Sequence, residues 1–327
     1  MESSRTAVNA IARFGLHELG LVHALAWRHR NSFQILTYHR FDEPKITNPA
    51  GSLKKQCEYI RKHFHPVSMS QVAQALQGKG TLPPKALAIT VDDGYADFFS
   101  VAFPILREYE IPATVYLISD FIDGKLWNWW DKIEYATRHT AKKDVEVCLP
   151  SQTLRFLLGS HTERAAANEK LCLEATKLAN RDRLALVERL PEIFDLEIPA
   201  AAPAEYAALS WADIRTMSND GMEFGGHSRT HPVLTSLESG DAVRDEVSES
   251  KRRIEEELQC PAIHFCYPNG DYDDRVIAEV KACGYLSATT VLSGFDSPAT
   301  DPFLLKRHSI DLDLPDYYFR ERLAGLH

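Results

Sequence analysis

The sequence predicts an α/β fold in which parallel strands alternate with helices around one large core. Short apolar segments recur along the chain, and most are followed by a stretch whose apolar residues have helical spacing. These segments are apolar almost throughout, which is typical of strands that are covered on both faces. About seven such units favour a barrel over an open sheet, although periodicity alone does not distinguish the two.

The predicted elements follow from runs of apolar residues of strand length and from apolar stripes of helical period. Strands are predicted at residues 33–38, 86–91, 113–118, 222–226, 262–267, 287–291 and 304–310. Helices are predicted at residues 7–28, 53–63, 97–109 and 240–258.

Two stretches of the chain depart from this alternation. Residues 131–208 are rich in Ala, Glu, Lys, Arg and Leu and end in a Pro/Ala-rich stretch at 199–203, which predicts a helical insertion closed by a linker. The amphipathic helix at 7–28 precedes the first strand. We therefore expect an N-terminal helical segment at 1–30 and a barrel at 31–327 that carries the insertion.

The composition excludes several classes of protein. The chain has 37 Lys and Arg against 46 Asp and Glu, a net charge of −9, which gives no electrostatic reason to expect nucleic acid as a partner. Its six cysteines include no CxxC pair and are interpreted as reduced thiols. We find no signal peptide and no transmembrane segment in the sequence. These features predict a cytoplasmic protein, with weak membrane association through the N-terminal helix as the alternative.

Two adjacent carboxylates follow the predicted strand 86–91 directly. Asp92 and Asp93 would stand at its carboxyl end, where the active sites of parallel barrels lie. Buried carboxylates are costly unless something at that place uses them. The competing interpretation is structural, because one aspartate could instead cap the helix that follows.

A pair of histidines follows another predicted strand. His227 and His231 lie four residues apart in the segment His-Ser-Arg-Thr-His-Pro, a spacing that lets two imidazoles converge on one metal ion. Gly225 and Gly226 before them permit close approach of the backbone. This spacing alone is a weak signal, since two surface histidines also occur at it by chance.

The two motifs together are more specific than either alone. Two histidines and one carboxylate form a three-ligand metal site with open positions for water and substrate. The second carboxylate is then free to act as a base, which explains the adjacent pair.

At this point the sequence resembles the polysaccharide deacetylases of the NodB-homology type, carbohydrate esterase family 4. Their T-F-D-D-G motif corresponds to residues 90–94, with Val91 in place of phenylalanine, and their H-[ST]-x-x-H-P motif is matched by residues 227–232. Residues 36–39 resemble the Y-H segment that opens many members, and residues 265–270 resemble the third motif, Y-P-x-G. The resemblance covers about residues 33–130 and 209–310.

This resemblance implies a fold, a cofactor and roles for individual residues. The fold would be a distorted (β/α)7-type barrel, and the cofactor a divalent metal, usually zinc. Asp92 would be the general base, with Asp93, His227 and His231 as metal ligands. The substrate would be an N-acetylated saccharide, and the absence of an export signal favours a lipid-linked or nucleotide-linked precursor over a finished wall polymer.

The sequence departs from the family in two places. Many members carry an arginine in the third motif that orients the base, and here Cys266 stands near that place. Members with a fifth motif supply the acid from an L-x-H segment, which His308 matches poorly. His39, which ends the first strand, is the alternative acid, and we favour it over His308.

Aromatic residues provide candidates for substrate contacts. Trp127, Trp129 and Trp130 would either form a sugar-stacking wall at the mouth of the barrel or seat the insertion on it. Tyr267 and Pro268 of the third motif are further substrate-binding candidates by resemblance.

Three other functions stay open at this stage. The same site could hydrolyse an O-acetyl ester or a cyclic imide or amide, and a degenerate member would bind sugar without catalysis. Retention of Asp92, Asp93, His227 and His231 argues against the last of these.

Overall fold

The computed structural model of the chain describes residues 32–42, 47–313 and 315–325. The helix that the sequence predicts at 7–28 lies outside the described residues. The segment 1–30 and its relation to the barrel therefore stay a prediction.

The described residues contain ten strands, of which seven correspond to the strands that the sequence predicts. Their bounds are β1 Gln34–Tyr38, β2 His65–Pro66, β3 Ala86–Val91, β4 Ala113–Leu117, β5 Asp144–Cys148, β6 Thr153–Leu157, β7 Glu223–Gly226, β8 His264–Cys266, β9 Ser287–Thr289 and β10 His308–Ser309.

The same residues contain eleven α-helices. Their bounds are α1 Pro49–His63, α2 Met69–Leu76, α3 Phe103–Glu108, α4 Ser119–Ile122, α5 Trp129–His139, α6 His161–Thr176, α7 Asn180–Phe194, α8 Trp211–Asn219, α9 Gly240–Leu258, α10 Asp274–Ala282 and α11 Asp316–Leu323. None of the helices in these parts of the chain is long and apolar enough to cross a membrane.

Seven of the described strands form one curled parallel sheet in the order β10-β1-β3-β4-β7-β8-β9. The two ends of this order meet, because Leu305, just before β10, makes a parallel bridge to Thr289 at the end of β9. The short strand β2 pairs with the start of β3. The result is a distorted barrel closed by a single bridge, which confirms the predicted α/β fold.

The last three strands of the barrel are shorter than the sequence predicts. Strand β8 ends at Cys266 because Pro268, which has no N–H to donate, begins a 3₁₀ turn at residues 268–270. The predicted strand 304–310 keeps only His308 and Ser309, because the chain there changes partner from β9 to β1. Lys306 and Arg307 lie at that change and belong to neither ladder.

The helix predicted at 97–109 is interrupted near its middle. It begins with a π-helical turn at Phe98–Ala102 before α3. Pro104 near the start of α3 has no N–H, so a regular i→i−4 ladder cannot run through it. The helix predicted at 240–258 has the observed bounds of α9, whose buried stripe includes Val243, Val247 and Ile254.

The insertion between α4 and α8 is mixed rather than helical throughout. Strands β5 and β6 form an antiparallel hairpin between α5 and α6, which the prediction of helices alone had missed. Val145 and Val147 are buried while their neighbours in β5 are exposed, the alternation of a strand with one covered face. The hairpin and helices α5, α6 and α7 share a core separate from that of the barrel.

Candidate active site

The predicted site residues meet at the carboxyl ends of neighbouring strands. Asp92 and Asp93 follow β3, and His227 follows β7, whose end is held in register by a hydrogen bond of 2.9 Å from the His227 N–H to the Leu117 carbonyl. The Nε2 atoms of His227 and His231 lie 3.5 Å and 3.8 Å from Asp93 Oδ1. The structure therefore brings all four residues together at one mouth of the barrel.

The backbone at this mouth is strained at two of the three candidate ligands. Asp93 has φ +73° and His231 has φ +58°, the left-handed region that side chains other than glycine rarely adopt. Each such residue costs on the order of 1–3 kcal/mol and persists only where the surrounding structure enforces it. Strain of this kind is typical of functional sites.

Two glycines let the strand before His227 pack closely against its neighbours. A Cβ on Gly225 would collide with the His264 carbonyl oxygen, and one on Gly226 would collide with the Tyr285 hydroxyl. The close approach expected from the sequence is therefore present.

The donor set and its geometry fit a divalent cation. Ligand atoms about 2.0–2.1 Å from a tetrahedral ion lie roughly 3.4 Å from one another, close to the 3.5 and 3.8 Å that separate the Asp93 oxygen from the two imidazole nitrogens. The Nδ1 atom of His227 lies 2.8 Å from the Cys266 carbonyl, so a proton on Nδ1 leaves Nε2 free to ligate. Asp93, His227 and His231 could hold the ion together.

The loop between the two histidines is held by a buried carboxylate. Glu246 on α9 accepts hydrogen bonds from the backbone N–H groups of Arg229 and Thr230 at 3.0 and 2.8 Å. The Ser228 hydroxyl accepts a further bond from the His231 N–H at 3.0 Å. These contacts hold His231 in its left-handed conformation and orient its ring toward Asp93.

Asp92 is clamped by a buried arginine. Arg307 donates from Nη1 to Oδ1 at 2.7 Å and from Nη2 to Oδ2 at 2.8 Å, a bidentate pair. The remaining guanidinium hydrogens are bound by Thr37, Thr90, the Thr290 carbonyl and the Cys266 sulfur. Asp92 is therefore fixed in orientation, with both oxygens paired.

These neighbours decide the protonation states. Burial by itself would raise the pKa of Asp92, but the charge and hydrogen bonds of Arg307 outweigh it and hold that pKa well below the usual range of a carboxyl. Burial lowers the pKa of His231 to about 3, with a further lowering by His227. At neutral pH Asp92 is therefore ionised, and His231 is neutral as a metal ligand must be.

A second group of potential ligands overlaps the first but suits a cation poorly. Asp92, His227 and Cys266 also lie close enough to share an ion. The Arg307 guanidinium already binds both oxygens of Asp92 and lies 3.1 Å from the Cys266 sulfur. A cation there would face a fixed positive charge, so the group that contains Asp93 is the better site.

An open cavity of about 280 Å³ lies above these residues. This volume is close to the lower end of ligand pockets, which span ~300–1,000 Å³. The cavity is lined by His39, Asp92, Asp93, Trp129, Trp130, Cys172, Thr176, His227, His231, Tyr267, Asn269 and Val291. The insertion thus forms one wall, through Trp129 and Trp130 of α5 and Cys172 and Thr176 of α6.

The aromatic candidates divide between the cavity and the core. Trp130 lines the cavity, with its ring centroid 4.6 Å from that of His231. Tyr267 also lines it and donates to the Phe303 carbonyl at 3.2 Å. Trp127 does not line it, because its buried ring packs on Tyr135 and Tyr206 and so seats the insertion on the barrel. The prediction that Trp127 binds substrate is therefore corrected.

Pro268 is likewise absent from the cavity wall, although it was a substrate-binding candidate. It is buried and begins the 3₁₀ turn after β8. Its ring shapes the turn that presents Asn269 instead.

The orientation of Trp130 is set by a buried polar cluster. Its indole N–H donates to the Tyr95 hydroxyl at 2.8 Å, and that hydroxyl donates to Asp131 at 2.7 Å. Burial raises the pKa of Asp131 to about 8. The first helix of the insertion is thus tied to the barrel beside the site.

The two candidate acids occupy different environments. His39 is half exposed, lines the cavity and has its Nε2 3.6 Å from Asp92 Oδ2. His308 is fully buried, contacts Phe295 and Ser293, and does not line the cavity. Arg307 points toward the base, and the next residue of an extended segment points the other way. This position favours His39 over His308 as the acid, in the order that the sequence suggested.

The comparison with protein families decides what these motifs belong to. The family model described as polysaccharide deacetylase matches residues 79–288, which include both motifs and the insertion. The chain belongs to the polysaccharide deacetylase family.

Relatives of this deacetylase family member match only part of it. The chain is 31% identical over 103 residues to the poly-beta-1,6-N-acetyl-D-glucosamine N-deacetylases of Escherichia coli K12 and of Escherichia coli O157:H7. That match covers 30% of this chain and 15% of each relative, so the chain spans a small fraction of the length of these curated relatives.

Solved structures of similar fold cover most of the chain. The deacetylase PplD of Streptococcus pyogenes, in complex with acetate, has a TM-score of 0.59 and 19% identity, covering 90% of this chain and 97% of that one. IcaB from Ammonifex degensii has a TM-score of 0.58 and 16% identity, covering 90% of this chain and 97% of that one. The BpsB deacetylase domain of Bordetella bronchiseptica has a TM-score of 0.55 and 18% identity, covering 86% of this chain and 96% of that one. These similarities show that this chain shares their fold.

The residue of this site that sequence reasoning missed is Arg307. The sequence left the orientation of the base unassigned, with Cys266 near the place where many members have an arginine. In the structure Arg307 reaches Asp92 from the seam between β9 and β10, and Cys266 lies beside both. One signal was present, because a charged residue inside an apolar strand segment implies a buried partner.

Proposed function

We propose that this protein hydrolyses the acetamide of an N-acetylated sugar in a saccharide or polysaccharide, with a divalent cation held by Asp93, His227 and His231. The observation that carries the proposal is the convergence of these residues around Asp92, which Arg307 keeps ionised and oriented. Zinc is the metal we expect, because tetrahedral sites of nitrogen and oxygen ligands suit it.

The reaction needs a base for water and an acid for the departing amine. The cation, when bound, would polarise the acetyl carbonyl and lower the pKa of water at the site. Asp92 accepts the proton of the attacking water, since it is ionised and faces the cavity. As the new C–O bond forms and the C–N bond breaks, the amine nitrogen gains a proton. The products are acetate and a free amino sugar.

His39 is our candidate for the group that delivers this proton. Its Nε2 lies 3.6 Å from Asp92 Oδ2, so a small movement or one water molecule would join the two groups. His39 thus lies beside the base at the mouth of the barrel. We therefore propose that His39 passes on the proton that Asp92 receives.

The acid is tested by two single variants, His39→Ala and His308→Ala. We expect His39→Ala to reduce kcat by ~10²–10⁴-fold with unchanged metal content, as for loss of a general acid. The control, His308→Ala, should retain its kcat, even where loss of the buried ring lowers the melting temperature. A His39→Ala variant near the wild-type rate would contradict the role.

The substrate class is tested by mass spectrometry of acetate loss. Zinc-loaded protein is incubated with N-acetylated oligosaccharides, O-acetylated oligosaccharides and a cyclic imide. We expect loss of acetyl groups from the N-acetylated sugars, abolished by a chelator and restored by zinc. Turnover of only the esters or the imide, or full activity without metal, would contradict the proposal. A lipid-linked or nucleotide-linked precursor and a cytoplasmic location both remain predictions from the sequence.

A further inference from the structure

The insertion places a buried arginine beside the cavity, and no carboxylate of the described residues pairs with it. Arg183 lies in the first turn of α7 and is 1% exposed. With Leu186, Leu190 and Phe194 it forms the buried stripe of that helix, so a guanidinium occupies a position where an apolar side chain is expected.

The partners of this guanidinium are few. Nη2 donates to the Asn180 side-chain oxygen at 2.6 Å, whereas Nε and Nη1 have no hydrogen-bond acceptor among the described residues. Burial lowers the pKa of Arg183 to about 10, so it remains charged at neutral pH. A buried charge without a partner is costly and is seldom kept for packing alone.

A third unpaired donor lies close to the first two. The guanidinium carbon of Arg183 lies 5.4 Å from the ring centroid of Trp129, whose indole N–H also lacks an acceptor among the described residues. Trp129 lines the active-site cavity together with Thr176, which ends helix α6 just before α7. Arg183 is thus a single aromatic ring away from the cavity.

We propose that Arg183 and the indole N–H of Trp129 form an anion-binding subsite of this cavity, for a phosphate or carboxylate carried by the saccharide next to the acetylated sugar. The three donors are buried without acceptors among the described residues, are supplied by the adjacent side chains of α5 and α7, and match an acceptor-only group. A rotation of the Trp129 ring would open the guanidinium to the cavity. This inference rests on the proposed deacetylation, and it specifies an anionic saccharide as the substrate class.

The first test measures anion binding without catalysis. Zinc-loaded wild type, Arg183→Met and Arg181→Met are titrated with inorganic phosphate and with glucuronate, using tryptophan fluorescence and calorimetry. Arg181 is the matched control, since its exposed guanidinium lies on the same helical turn. We expect wild type and Arg181→Met to bind one of the two anions ~10–100-fold more tightly than Arg183→Met, the range for hydrogen bonds to charged groups.

The second test separates this inference from the proposed function. KM and kcat are measured for N,N′-diacetylchitobiose, its 1-phosphate, and a disaccharide of N-acetylglucosamine and glucuronate. Arg183→Met should raise KM ~10–100-fold only for a charged substrate, with the neutral one unchanged and Arg183→Lys restoring part of the difference. The substrate that responds identifies the anion as phosphate or carboxylate.

Two outcomes would overturn the subsite. The first is equal KM values for Arg183→Met and wild type on all three substrates, with a lowered melting temperature for the variant. Arg183 would then have only a structural role, through its stacking on Trp129. Equal anion affinities of wild type and Arg183→Met in the titration would also overturn the subsite, whether or not any substrate is turned over. Absence of turnover by the wild type would instead overturn the proposed deacetylation, because the titration does not depend on catalysis.

Discussion

Replacing Asp92 with asparagine is expected to reduce kcat by ~10²–10⁴-fold, the usual contribution of a general base. The amide cannot accept the proton of the attacking water, although it has the size and shape of the carboxylate. Metal content should stay at the wild-type value, because Asp92 is paired with Arg307 and the three proposed ligands are intact. The measurements are steady-state kinetics on an N-acetylated oligosaccharide and metal analysis after dialysis.

The matched control for this experiment is the adjacent residue. Asp93→Asn should weaken metal binding and lose activity that excess zinc partly restores, since it removes the carboxylate that lies near both imidazoles. If Asp92→Asn lost its metal while Asp93→Asn kept it, the two roles would be reversed. Because Asp92→Asn also leaves the Arg307 charge unpaired, its melting temperature is measured to separate stability from rate.

Replacing Arg307 with methionine is expected to have the second large effect, on stability and on pH dependence together. Removing one partner of a buried ion pair costs about 3–5 kcal/mol of unfolding free energy. Without the guanidinium, only the weaker influence of His227 and His39 opposes the burial of Asp92, so its pKa rises. The acid limb of the kcat/KM profile should therefore move to higher pH, because a larger fraction of Asp92 is protonated at each pH.

The same change reverses the contribution of Asp92 to stability. In the wild type its folded-state pKa lies below the unfolded value, so the contribution is present above the unfolded pKa and is lost as pH falls through the folded one. In Arg307→Met the folded-state pKa lies above the unfolded value, so stability is lost as pH rises between the two. Denaturant unfolding of wild type and Arg307→Met at pH 3 to about 8 measures how the free energy of unfolding changes with pH in each protein.

Two further variants make the Arg307 experiment specific. Arg307→Lys keeps a positive charge but not the bidentate geometry, so it should restore folding and leave kcat reduced. Arg253→Met removes another arginine–carboxylate pair, with Asp123, and should leave the pH profile unchanged. An unshifted acid limb in Arg307→Met would contradict a positioning role for Arg307.

The sequence by itself determined the alternation of strands and helices, the family and the four residues of the two motifs. Each of these depends on local information. Apolar runs of strand length predict buried parallel strands, and motifs that directly follow such strands must lie at their carboxyl ends. That is why the sequence alone places Asp92, Asp93, His227 and His231 at one mouth of the barrel.

The hairpin of the insertion was within reach of the sequence but was not predicted. The segments of β5 and β6 alternate apolar and polar residues around a turn that contains Pro150. The surrounding stretch is so rich in helix-forming residues that the overall composition outweighed this short signal.

Only the tertiary structure decided which neighbours complete the site. Arg307 lies 215 residues from Asp92 in the chain and reaches it across the seam of the barrel, where hydrogen bonding changes from β9 to β1. The position of that change decides that Arg307 faces the base and that His308 faces away. Strand periodicity predicts alternation, but the side that each residue faces depends on the register of the strands.

The backbone strain and the division of the tryptophans have the same origin. Asp93 and His231 both adopt left-handed conformations, and at His231 the long-range hydrogen bonds to Glu246 hold the loop that precedes it. Trp127 and Trp130 are three residues apart, yet one packs in the core and the other beside His231. Contacts between elements distant in sequence make these choices, and local sequence does not encode them.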